Sequence, residues 1–407
     1  MSSRMKLGPA FTALAKTRLT GPLCLLSALA ACWSAAAIGG PREQAVRIHD
    51  RLAGVPPSEA VLSQMETLIA SDPQATANKV AAANVAMENR HFYTVTLKNF
   101  AAPWTNRDQS PFVPLNDYTT LVIGMVRDGV PFDQILWGDL LYVDPEQPMP
   151  SASSNAHYEA LEQKMLDPNF DPMTDIVPTT QSAAYGLPQG ATAGAITTRA
   201  AAEAFFIAGT NRAMFRFTLV NHMCMDLEQV QDTSVIPDRI RQDVSRSPGG
   251  DSRVFMNNCI GCHAGMDPLA QAFAYYDFNP VTGSLEYADG AVQPKYFNNE
   301  ETFADGFVTP DDSWDNYWRD GRNSLLGWDS SLPGSGSGAK SMGMELARSE
   351  AFAQCQVKKV FKAVCLRDPV NGTDRAQVAA MADGFRAGNS YDLKSVFAES
   401  AAYCVGP

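Results

Sequence analysis

Histidine is scarce in this chain, five in 407 residues, and charged residues make up only 19%. There is no His-Glu-x-x-His pair, no Gly-rich phosphate loop and no Gly-x-Ser-x-Gly elbow. The sequence signatures of zinc proteases, P-loop nucleotide hydrolases and α/β-hydrolases are therefore missing. Positive charge is also short, with Lys+Arg 32 against Asp+Glu 44 and a net charge of −12. A surface of that sign repels nucleic acid and anionic lipid headgroups, so no nucleic-acid partner is expected. Beyond the N-terminus no segment offers the uninterrupted apolar run of roughly 18 residues that a spanning helix needs. Core-forming material is not lacking: 45% of the residues are hydrophobic. That excludes disorder as the dominant state and suffices for one large or two to three ordinary domains.

The N-terminus reads as an export signal over residues 1–31. Arg4, Lys6, Lys16 and Arg18 precede the apolar stretch Pro22 to Ala31, which is too short to span a bilayer. Leu29-Ala30-Ala31-Cys32 resembles a lipobox, which makes Cys32 the expected lipidation site and mature N-terminus. Cleavage after Ala35-Ala36-Ala37 is the alternative and would release a periplasmic protein without an anchor. The chain is thus expected to be exported, facing the periplasm or the cell exterior, with membrane contact only through that anchor.

Eight cysteines then sort by position. Cys24 leaves with the signal, Cys32 is the lipid site, and Cys259 and Cys262 belong to a motif taken up below. Cys224, Cys355, Cys365 and Cys404 remain, enough for two disulfides in an oxidising compartment. Cys355 and Cys365 sit ten residues apart on one helical run, roughly 15 Å, so they cannot pair with each other. Two connectivities stay open, and closeness in the chain favours Cys365 with Cys404.

The fold class expected is mainly α and multi-helical: a haem-binding helical domain, one small β-hairpin and long irregular loops. An N-terminal helical domain covers 32–150, with Ser58 and Asn116 or Asp117 as caps. The Pro-, Ser-, Asp- and Gly-rich stretch 151–194 reads as an irregular linker. A helical segment from Thr197, interrupted at Gly209, opens a domain over 195–335 that includes a hairpin near 278–287 and a flexible Gly/Ser run at 333–338. A C-terminal helical domain follows over 336–407, with Thr373 or Asp374 as a cap.

The chemistry rests on Cys259-Ile260-Gly261-Cys262-His263, the attachment signature of c-type haem. With eight Cys and five His in 407 residues, chance predicts roughly 0.002 such pentads. Cysteines at i and i+3 share one face of a helical turn, so each thiol can reach one haem vinyl group while His263 offers its imidazole as proximal ligand. A dithiol redox pair and a zinc site are the weaker readings, the latter needing further ligands. For the distal position Met342 or Met344, beside the Gly/Ser run, is the first candidate and His222 the second. Arg239, Arg241 and Arg246, just upstream, are candidates to neutralise propionates, with ordinary surface arginines as the equal alternative.

From Cys259 through His263-Ala264-Gly265-Met266-Asp267-Pro268-Leu269 to Tyr276-Asp277, the sequence resembles the planctomycete-type cytochrome c domain proteins. In that family a Met-Asp-Pro-Leu turn follows the haem histidine. Ser349 to Val357 with Val360-Phe361 is similar to the family's C-terminal helical domain, and Arg47 to Pro57 with Asp128 to Leu140 more loosely to its N-terminal portions. The resemblance covers about half the chain and implies a mainly helical exported protein with one covalent haem, but supplies no substrate. Many relatives carry Gly where Leu269-Ala270 stands here, and they embed these parts in longer chains. The function expected is electron transfer, as carrier or as haem subunit working with a separately encoded redox partner. The alternative is a haem peroxidase, oxidase or oxygenase with an open sixth iron position.

Overall fold

Ser58 accepts a hydrogen bond from the Val61 N–H at 3.4 Å, and Asn116 accepts one from the Thr119 N–H at 3.0 Å. Both helices therefore begin where a side chain takes an otherwise orphaned backbone donor. They are two of fifteen α-helices in the described residues of this computed structural model, which are 39–206, 209–297 and 303–406. Residues 1–31, expected to be an export signal, and Cys32 lie outside them. The chain is mainly helical, as its apolar periodicity predicts.

Pro41–Ala53, Glu59–Ser71 and Thr76–Ala86 pack on one another, and Leu393–Cys404 lies against Thr76–Ala86 and against Glu350–Cys365. The first and last helices thus share a layer. Arg51 Nη1 donates to the Cys404 carbonyl and Lys79 Nζ to the Gly406 carbonyl, both at 2.8 Å. Two cations from the first layer so meet the end of the final helix, where unsatisfied acceptors and the negative end of its dipole lie. Asp117–Asp128 runs through the middle with every residue from Asp117 to Arg127 buried, the condition of a helix enclosed on all sides.

One apolar cluster extends from Ala45 to Val405, and residues 40–407 form one unit. The boundaries drawn at 150, 194 and 335 therefore do not part separate bodies, because helices on both sides of each bury their apolar faces in the same core. The 151–194 stretch is more ordered than its composition implies. It holds the helix Ala156–Lys164 and a strand, Val177–Thr179, antiparallel to Leu141–Val143. The predicted hairpin forms between Tyr276–Asn279 and Ser284–Tyr287, with buried Phe278 opposite buried Leu285.

The Gly/Ser run differs from its expectation. Ser335–Ser337 pairs with Ser313–Asp315, and a Cβ at Gly336 would stand 3.1 Å from the Trp314 ring, so the glycine serves close packing rather than flexibility. The helix Gly372–Arg386 is capped by Asn371, not by Thr373 or Asp374. Asp374 instead accepts hydrogen bonds from Arg367 and from the Tyr403 hydroxyl. The disulfides are Cys224–Cys355 and Cys365–Cys404, with Cα separations of 5.2 and 5.4 Å.

Candidate haem-attachment site

Asp251 takes the Arg253 N–H at 2.9 Å and starts a nearly unbroken helical stretch: Ser252–Val254, a wide π-turn over Phe255–Cys259, then Ile260–Ala270. Pro268 has no N–H to give the Ala264 carbonyl, and the helix stops two residues later. The expected Met-Asp-Pro-Leu turn is thus the last part of a helix. Gly265 sits where no other residue fits, because a Cβ there would lie 1.9 Å from Trp318 Nε1.

Cys259 and Cys262 are the free cysteines among the described residues, and both are partly exposed. Cys259 packs against Ile240, Val244 and Phe255. The Cys262 Sγ lies 3.6 Å from the Leu227 carbonyl, and the Asp232 N–H donates to the Gly261 carbonyl at 2.8 Å, so residues 227–232 brace the motif's middle. Burial pushes the Cys262 thiol up, and the charges of Glu228 and Asp226 add to this, keeping it protonated at neutral pH.

His263 stands one turn before Asp267, and its Nδ1 lies 3.2 Å from each Asp267 oxygen. The Asp267 side chain is fully buried and gripped by both arms of the Arg212 guanidinium at 2.7 and 3.0 Å. Arg212 also holds Asp243 at 2.6 and 2.9 Å. Arg241 Nη2 approaches Asp267 at 3.7 Å, while its guanidinium lies over the Tyr296 ring, 4.9 Å from the centroid. Burial by itself raises the Asp267 carboxyl; the charges of Arg212 and Arg241 and the hydrogen bonds from His263 and Arg212 overcome that and hold it well below the usual carboxylate range. Against the ionised Asp267 the His263 Nδ1 is the donor, and no hydrogen bond to Nε2 is found among the described residues. Sequence reading did not identify Asp267 or Arg212 as part of the site. The i, i+4 spacing of His263 and Asp267 was the available signal, since such residues meet on one helix face.

The three upstream arginines have other work. Arg239 is ion-paired with Asp315, and Arg241 is wholly buried behind Asp267. Arg246 lies over the Phe255 and Phe303 rings, 5.4 and 4.3 Å from their centroids. Arg246 is thus the one of the three that neither pairs with Asp315 nor backs Asp267, and it packs on a ring that also neighbours His263, Phe255, at 6.2 Å.

The distal candidates have surroundings of their own. His222 closes the helix Arg212–His222 at the end away from Asp267, roughly 15 Å along the axis from Arg212. Its Nε2 is 2.6 Å from the Tyr118 hydroxyl and its Nδ1 3.5 Å from Gln356 Nε2, so both nitrogens are engaged. Burial, helped by the Lys359 charge, lowers its pKa well below the ordinary value, keeping it neutral. Met342 is fully buried in the main core. Met344 lines a cavity of about 370 Å³ with Trp314, Leu332, Pro333 and Lys340, none of them from the attachment stretch. Both methionines lie on the helix Gly338–Ala347, not on a loop.

The residues present fit a covalently attached haem. Two free thiols share a helical face, a histidine beside them keeps its outer nitrogen available, and Val254 and Met256 remain exposed in the adjoining turn, apolar area that a porphyrin can cover. A closed zinc site fits less well, because among the described residues no group of three or more His, Cys, Asp or Glu is placed to hold a metal ion. Comparisons with protein-family models, curated proteins and solved structures returned no match.

Proposed function

We propose that this protein is an exported mono-haem c-type cytochrome that transfers electrons, with Cys259 and Cys262 as attachment thiols and His263 as proximal ligand. Haem supplies the one-electron chemistry, and the chain supplies its anchoring and surroundings. The observation that carries the reading is the contrast among cysteines. Of the six in the described residues, four are tied in two disulfides, as suits an oxidising compartment, and the two free are those one turn apart beside a histidine. Cys259, Cys262 and His263 all keep partial exposure, the His263 side chain 20%. The partial exposure of these three side chains would let a redox partner approach a haem that they held.

The placement of the sixth-ligand candidates favours a second reading, an iron with an open position and oxygen or peroxide chemistry. Both His222 nitrogens are engaged and Met342 is buried in the core, and these observations support that reading. One experiment tests both readings: the optical spectrum of protein matured with a cytochrome c assembly system, ferric and ferrous, before and after carbon monoxide. A covalent haem with a low-spin spectrum indifferent to carbon monoxide supports electron transfer. A high-spin spectrum that shifts with carbon monoxide overturns it in favour of the enzyme. Absence of covalent haem overturns both.

A further inference from the structure

Behind His263 lie two carboxylates and two guanidiniums that no part of the attachment signature requires: Asp267, Asp243, Arg212 and Arg241. Their charges balance, but they are not equivalent toward the imidazole. Asp267 alone touches it, with both oxygens 3.2 Å from Nδ1. The Arg212 fork and the buried Arg241 leave the Asp267 carboxylate no water to turn to, while Asp243 faces the two arginines. A fixed carboxylate at Nδ1 holds the proton there, aims Nε2 outward and makes the ring a stronger electron donor.

Resting on the haem reading above, we propose that Asp267 is a positioning residue for His263 and holds the haem's reduction potential low. The sign follows from charge. The ferric state carries one more positive charge than the ferrous, so an anion one imidazole away favours ferric. Replacing Asp267 by Asn keeps an acceptor but removes that charge. Arg212 and Arg241 then face Asp243 alone. Asp243→Asn changes the group's net charge by the same amount without altering the contact to the ring.

The test is a spectroelectrochemical titration of haem-loaded wild type, Asp267→Asn and Asp243→Asn, with haem content checked by pyridine haemochrome and intact mass. Asp267→Asn is expected to shift the ferric/ferrous equilibrium toward ferrous at least tenfold, a rise of about 59 mV for a one-electron couple. Asp243→Asn is expected to shift it less than threefold. An Asp267→Asn potential within threefold of wild type, or an equal shift in both variants, would reduce the carboxylate to ordinary ionic packing. Should Asp267→Asn fail to mature, proton NMR of reduced wild type decides. The His263 Nδ1 proton is expected to exchange with solvent at least a hundredfold more slowly than in free imidazole, and exchange at the free rate overturns the proposal. Wild type lacking covalent haem would sink the cytochrome reading itself, whereas loaded haem with an unresponsive potential sinks only the role of Asp267.

Discussion

At the first residue of the helix Arg212–His222 a neighbouring histidine hangs from an ionised carboxylate, and at its last residue a histidine sits neutral among rings. His263 has one nitrogen on Asp267 and the other free, with a fifth of its side chain exposed. His222 is 1% exposed, both nitrogens are taken by neutral partners, and Trp104, Tyr118 and Phe352 lie around it with ring centroids within 6.3 Å. The same side chain is thus prepared for a ligand at one end and sealed into the core at the other. The difference lies in what the second nitrogen meets: no hydrogen-bond partner among the described residues at His263, a tyrosine hydroxyl at His222.

The sharpest way to break this contrast is to exchange the consequences. His263→Ala is expected to abolish the native axial spectrum entirely, while His222→Ala leaves it unchanged; a His222 variant with an altered haem spectrum would show that histidine to be the missing ligand. Next in size is the disulfide at the sealed end. Cys224→Ala with Cys355→Ala opens a crosslink spanning 131 residues, which in the chain-entropy model costs about 5 kcal/mol. Denaturant unfolding should register this with haem content unaltered. His222→Ala itself is expected to cost about 3 kcal/mol in the same assay, through the cavity left and the orphaned Tyr118 hydroxyl.

At the open end, Gly265→Ala forces a methyl into Trp318 and is expected to lower stability by about 2 kcal/mol. An unchanged unfolding midpoint would mean that Trp318 yields easily. The smallest effect is a pH dependence. Because burial keeps His222 neutral in the folded state, the unfolded chain binds its proton first as pH falls below about 6.5. His222 therefore contributes stability above that pH that is lost below it, by at most about 1.4 kcal/mol per pH unit. Unfolding curves between pH 7 and 5 should show this slope in wild type and a shallower one in His222→Gln. Equal slopes would mean that His222 accepts a proton where it lies.

Much of the helical framework was legible because it depends on local rules. Ser58 and Asn116 cap helices by short-range hydrogen bonding, and the Tyr276–Tyr287 hairpin follows from alternation around a turn. What misled was composition. The Pro- and Ser-rich 151–194 stretch and the 333–338 run resemble loops, yet Val177 and Ser335 lie in strands, because their partners are some thirty and twenty residues upstream. That one apolar core would cross 150, 194 and 335 was not legible either, since a helix's apolar face does not announce which other helix will cover it.

For the site the division is sharper. That Cys259, Cys262 and His263 lie side by side follows from spacing alone, since residues about one helical turn apart need no tertiary contact to be near one another. That His263 would find Asp267 was available in principle from the same geometry. That Asp267 would be held by Arg212, fifty-five residues earlier, and that His222 would be closed off by Tyr118 and Gln356, more than a hundred residues away on either side, was not. A motif within one turn is specified by the covalent chain and its helical propensity, whereas the charge, burial and availability of each side chain depend on neighbours that only the packed core brings together.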